Sequence, residues 1–139
     1  MVSPSPEEVR CRVLVVDDNE DFADLMAILI SRWGHEARAA YSGTQCIEVA
    51  QAFKPQLILL DIGLPGLDGF EVAKKLTGTS LPQPIIAAIS GYVDESHVAR
   101  CQEAGFAHCF GKPVDNSEMR EFIASVCRHT TETQKLVST

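Results

Sequence analysis

The sequence predicts an α/β protein: one parallel sheet of five strands with helices packed on both faces. Three observations predict it. Five short apolar runs alternate with five helix-forming segments, and such alternation implies parallel strands joined by right-handed crossovers. The run Leu57-Ile58-Leu59-Leu60 is apolar on both faces, the mark of a central strand covered from both sides. Chemically active residues stand where apolar runs end: Asp17 and Asp18 after the first, Asp61 after the third, Ser90 after the fourth and Lys112 after the fifth.

The elements follow in order. Val13-Leu14-Val15-Val16 is a buried, β-branched strand. Next comes a helix of about four turns. Phe22, Leu25, Met26, Leu29 and Trp33 share its inward face, and Gly34 ends it. The same helix carries a second apolar set, Ala23, Ala27 and Ile30, readable as incidental burial or as a docking patch for a histidine-bearing helix bundle. Glu36 to Ala40 forms a weaker strand. Ser42 and Gln45 make a capping box for a second helix, which turns Cys46, Val49 and Ala50 inward and runs towards Phe53. Pro55 breaks the chain before the third strand. The loop from Ile62 to Leu67 holds Gly63, Pro65 and Gly66; Asp68 and Glu71 then cap a third helix reaching about Leu76. Pro84 opens a strand over Ile85 to Ile89. A fourth helix spans about Asp94 to Gly105, and His108-Cys109-Phe110 is a short fifth strand. Asp115 and Glu118 cap the last helix, which buries Met119, Phe122, Ile123 and Val126. Residues 11–128 read as one domain, with residues 1–10 and the polar tail 129–139 expected to be disordered. No internal repeat or low-complexity tract is visible.

Composition narrows the function classes. The chain has 139 residues, 45% of them hydrophobic and 22% charged, enough to bury a core without disulfides or a structural metal. A net charge of −7 argues against direct nucleic-acid binding by this domain. The five cysteines form no CxxC and read as reduced thiols; the four histidines show neither HxxxH nor HExxH spacing. No apolar stretch approaches the roughly 18 residues a membrane span needs, and Met1 to Arg10 lacks the apolar core of a signal peptide. A cytoplasmic location without membrane insertion is expected.

Strand C-terminal ends converge on one edge of an open parallel sheet, so three carboxylates, a hydroxyl and an ammonium should meet in one shallow pocket. Singly each has an ordinary reading: Asp pairs cap turns, Ser90 can cap a strand, and most lysines are solvated. Together they suit phosphoryl transfer. Three close carboxylates repel, and a hard divalent cation such as Mg²⁺ relieves that cost through oxygen ligands. Asp18 and Asp61 are the direct ligands expected, with Asp17 acting directly or through water and the Gly63 carbonyl as a further oxygen. Asp61 is then the natural nucleophile, able to form an aspartyl phosphate. Lys112 would neutralise a second phosphoryl oxygen and Ser90 would hydrogen-bond a third. The Lys112-Pro113 bond can be cis at modest cost, which would aim the ammonium into the pocket.

The Asp17-Asp18 pair, Asp61 followed by Leu64-Pro65-Gly66-Leu67-Asp68-Gly69, Ser90-Gly91 and Lys112-Pro113 resemble a response-regulator receiver domain of two-component signalling, over about Val13 to Cys127. The resemblance implies a flavodoxin-like (βα)5 doubly wound sheet of strand order 2-1-3-4-5. It implies a signalling domain that catalyses its own phosphorylation and dephosphorylation. The donor is a histidine kinase or histidine phosphotransfer protein, with Mg²⁺ as cofactor. An effector protein and a second copy of the chain are further partners it allows. Phosphorylation would shift a two-state equilibrium involving Ser90 and the surface of the fourth helix, fifth strand and fifth helix. The stretches Asp61 to Gly69, Ser90-Gly91-Tyr92 and Lys112-Pro113-Val114-Asp115 also resemble receivers attached to hybrid histidine kinases, so an excised receiver or a single-domain regulator both fit. Nothing after Arg128 resembles an output domain.

One residue departs from the family pattern. An aromatic residue, or sometimes histidine, commonly stands three positions before the lysine; here it is Cys109, with Phe110 after it. That favours relay of phosphoryl groups, or output through other packing. Three rival functions are weaker. A phosphatase with an aspartyl nucleophile usually wants a second carboxylate nearby in a DxD, and Asp61 is followed by Ile62 and Gly63. A phosphorylation-independent scaffold would not need the pocket residues intact. A flavin or dinucleotide protein would need a glycine-rich first turn, where this chain has Val16-Asp17-Asp18-Asn19-Glu20.

Overall fold

Among the described residues, five strands and five helices alternate. The structure, a computed structural model, describes residues 10–62, 69–77, 84–91 and 95–137. In chain order these form β1 (Arg12–Val16), α1 (Glu20–Arg32), β2 (Glu36–Ala40), α2 (Gly43–Phe53), β3 (Leu57–Asp61), α3 (Gly69–Thr77), β4 (Ile85–Ser90), α4 (Glu95–Glu103), β5 (His108–Gly111) and α5 (Asn116–Val137). The sheet is parallel throughout, in the order β2-β1-β3-β4-β5, as expected. The order reverses direction at β1, so the crevice between the ends of β1 and β3 is the topological switch point, where open α/β sheets bind ligands.

Strand alternation divides the core into two layers. Leu14, Val16, Ile58 and Leu60 face one way and pack with Cys46 and Phe53 of α2, Val72 and Leu76 of α3, and Cys101 of α4. Val13, Val15, Leu57 and Leu59 face the other way, against Ala23, Met26 and Ile30 of α1 and Met119, Ile123 and Cys127 of α5. All five residues of β3 are buried, which bears out its reading as the central strand.

Local signals place the helix ends. Asn19 caps α1 by accepting from the Phe22 N–H at 3.1 Å. Ser42 Oγ accepts from the Gln45 N–H at 3.1 Å while the Gln45 side chain accepts from the Tyr41 N–H at 2.7 Å, a reciprocal cap displaced by one residue from the usual box. Gly34 and Gly105 adopt φ of +100° and +83° just after α1 and α4, conformations that favour glycine.

Four expectations need comment. The inward face of α1 is Ala23, Met26 and Ile30, with Phe22 and Trp33 packed partly beneath; Leu25 and Ile28 are exposed, at 58% and 52%. Two apolar stripes one residue apart share the same period, and periodicity alone does not phase them; small Ala23 lets the helix approach the sheet. Ala23 and Ile30 are therefore buried core, not a docking patch. Glu118 does not complete the cap of α5. Asp115 accepts from the Ser117 and Glu118 N–H groups, and the Glu118 carboxylate turns instead to His108 Nε2 at 3.1 Å. The tail expected to be disordered from residue 129 instead continues α5 to Val137. No Pro or Gly interrupts residues 116–137, so nothing in the sequence breaks the helix. The expectations for residues 1–9, for the Gly63 carbonyl, for the Asp68 cap and for Asp94 lie outside the described residues.

Candidate functional site

The site assembles at the C-terminal edge of the sheet. Asp17 follows β1 directly, its N–H donating to the Ala40 carbonyl at 3.1 Å, and it is 1% exposed. Each of its carboxylate oxygens accepts a hydrogen bond. Oδ1 accepts from the Asn19 N–H at 2.9 Å, and Oδ2 accepts from Lys112 Nζ at 2.7 Å. Asp18 is exposed beside it. Asp61 is the last residue of β3, 9% exposed, and its Oδ2 lies 3.8 Å from Lys112 Nζ. One oxygen from each of Asp17, Asp18 and Asp61 falls within 4.8 Å of the others.

Lys112 arrives from the far side. The Lys112-Pro113 peptide is cis, and the Lys112 N–H donates to the Ser90 carbonyl at 2.9 Å, joining the ends of β4 and β5. Ser90, 6% exposed, pairs with Gly111 in register, one residue beyond the Asp61–Ile89 pair. Three carboxylates against one ammonium leave the pocket negative. Hard oxygen donors that close repel one another, and a divalent cation would relieve the repulsion. The donor set therefore fits a hard metal ion held by Asp17, Asp18 and Asp61.

Sequence reasoning missed one member. The Lys112 ammonium lies over the Phe22 ring, 4.7 Å from its centroid. Phe22 was assigned only to the core face of α1. The missed signal was its place in the first turn of the helix that leaves the acidic pair.

Within β5, Cys109 and Phe110 point to opposite faces of the sheet. Cys109 is half-buried and packs against the layer that holds Cys101. Phe110 is buried in the α1–α5 layer, stacked edge-on against Phe122 at 5.3 Å. Phe110 thus does not stand in for an aromatic residue at position 109.

With this geometry in view, relatives become informative. Residues 13–124 match the response regulator receiver domain family. The chain belongs to that family. It is a receiver domain of two-component signalling. Among curated relatives, the alkaline phosphatase synthesis transcriptional regulatory protein PhoP of Bacillus subtilis (strain 168) is 31% identical over 119 residues, covering 86% of this chain and 49% of PhoP. The sporulation initiation phosphotransferase F of the same organism is 27% identical over 112 residues, covering 81% of this chain and 90% of that protein. This receiver thus spans about half the length of the first relative and most of the second. Among solved structures, the signal receiver domain of a DNA-binding response regulator from Colwellia psychrerythraea 34H superposes with a TM-score of 0.78 at 23% identity, covering 85% of this chain and 98% of that one, a likeness of fold. Among the described residues, no helix is long and apolar enough to cross a membrane.

Proposed function

We propose that this receiver accepts a phosphoryl group on Asp61 from a partner's phosphohistidine, with Mg²⁺ bound by Asp17, Asp18 and Asp61 and by the Gly63 carbonyl. The observation that carries the reading is the Lys112 ammonium placed 2.7 Å from Asp17 and 3.8 Å from Asp61 in a group of three carboxylates. In the transfer, an Asp61 carboxylate oxygen attacks phosphorus. The O–P bond forms as the donor's N–P bond breaks, and the imidazole departs with the electron pair. Lys112 would balance charge on one equatorial oxygen, and Ser90 would donate to another. Mg²⁺, when bound, supplies charge neutralisation at the transferring group. Hydrolysis of the aspartyl phosphate would use the same residues.

The donor class is a histidine kinase or histidine phosphotransfer protein, the location cytoplasmic, and the outcome a switch or a relay. Cys109 favours the relay reading, because a small half-buried thiol replaces the aromatic ring expected to move between states. An effector and a second copy of the chain remain candidate partners for the switched form.

Incubation with Mg²⁺ and acetyl phosphate, beside Asp61→Asn, tests the reading by intact mass. One phosphoryl group gained by wild type only, and lost with EDTA, is the expected result. No adduct from acetyl phosphate or from a panel of phosphohistidine proteins would overturn it in favour of a scaffold that signals by binding alone.

A further inference from the structure

We propose that Phe22 is a positioning residue for Lys112, holding its ammonium over the pocket through the ring face; this rests on the phosphoacceptor reading above. Among the described residues, Lys112 Nζ meets Asp17 Oδ2 at 2.7 Å, Asp61 Oδ2 at 3.8 Å and the Phe22 ring centroid at 4.7 Å. The two carboxylates are also the oxygens that would bind a divalent cation, so the ammonium and the metal draw on the same ligands. Any cation that takes up Asp17 weakens the shortest hold on Lys112. The ring is a different kind of partner. Its negative face attracts an ammonium but offers a hard metal no ligand atom. Phe22 can therefore keep the ammonium beside Asp61 while the carboxylates are otherwise engaged.

The placement is built rather than incidental. The Asn19 side chain caps α1 by accepting from the Phe22 N–H itself, which fixes the ring's residue at the third helical position. The ring is half-buried, packed against the α1–α5 layer with one face left for the ammonium. Lys112 is itself only 29% exposed, so the contact is partly shielded from water, where a cation–ring attraction is stronger.

Two variants and two readouts test this. Phe22→Leu keeps an apolar filler and removes the ring; Phe22→Tyr keeps the ring. At saturating Mg²⁺ and acetyl phosphate, Phe22→Leu should phosphorylate about threefold to tenfold more slowly, with Phe22→Tyr close to wild type. Independently, the Lys112 ε-methylene protons should resonate upfield of the other lysines in wild type and Phe22→Tyr, and lose that ring-current shift in Phe22→Leu. Phe22→Leu at the wild-type rate, or both variants equally slow, would overturn the proposal. If wild type takes no phosphoryl group at all, the phosphoacceptor reading fails. The proton shift then decides the Phe22–Lys112 contact alone: its presence upholds the contact, its absence removes it.

Discussion

The backbone N–H of Cys11 donates to Nδ1 of His35 at 3.2 Å, tying the start of β1 to the turn that opens β2. Both residues are buried, and only neutral imidazole with a free Nδ1 lone pair can accept. Burial, and then the nearby Arg120 guanidinium, hold the His35 pKa below its ordinary value of 6.5.

That relationship sets a pH dependence. The unfolded chain binds a proton at His35 that the folded chain resists, so stability rises with pH across this titration. The contribution is present above the unfolded value of 6.5 and is lost as pH falls through the lowered folded value. Urea unfolding between about pH 5 and pH 7.5 should show this slope. His35→Gln, whose amide oxygen can still accept from Cys11, should flatten it.

Lys112→Ala separates charge balance from metal binding. Loss of the ammonium should slow phosphorylation by about a hundredfold or more, the scale of removing one preorganised charge-stabilising donor. Mg²⁺ should bind no more weakly, because the competing cation on Asp17 is gone. Asp17→Ala should weaken Mg²⁺ instead. Isothermal titration beside phosphorylation rates reads both.

Leu59 is fully buried at the centre of β3. Leu59→Ala should cost about 2–5 kcal/mol, from lost transfer energy and the cavity left behind. Leu25→Glu and Ile28→Glu, on the solvent side of α1, should each change stability by about 0.5 kcal/mol or less. The contrast, read by urea denaturation, checks the phase of α1 directly.

The thiols should react in a set order. Burial pushes the Cys11 and Cys46 thiols up to about 12, and burial with the Cys109 contact does the same for Cys101. The thiolate is the reactive form, so these should resist iodoacetamide near pH 8. Half-buried Cys109 should be labelled first, as peptide mapping after a timed reaction would show.

Much of this was legible in the residues. Apolar runs marked β1, β3 and β4, because a covered parallel strand must be apolar on both faces, while β2 (Glu36–Ala40) read only as a weaker strand. Asp17, Asp18, Asp61, Ser90 and Lys112 were recognisable as a group because strand ends in such a sheet share an edge. What escaped was rotation and reach. Leu25 and Ala23 lie on neighbouring stripes of one helix, and only the depth of the groove against β1 decides which turns inward. Glu118 had the spacing of a cap, yet His108 across the β5–α5 corner offered its carboxylate a better partner. Phe22 looked like core because it shares the apolar face of α1, while the Lys112 that meets its ring lies 90 positions later.

The Lys112–Asp17 ion pair joins residues 95 apart in sequence. A chain emerging from the ribosome displays its acidic pair early, and Asp61 well before β5 exists. For most of synthesis the pocket is a cluster of carboxylates with no ammonium to answer them. On the proposed chemistry, transfer competence waits for Lys112, the last of the five pocket residues to be synthesised. A truncated product lacking that strand would keep Asp17, Asp18 and Asp61 without the ammonium that lies among them.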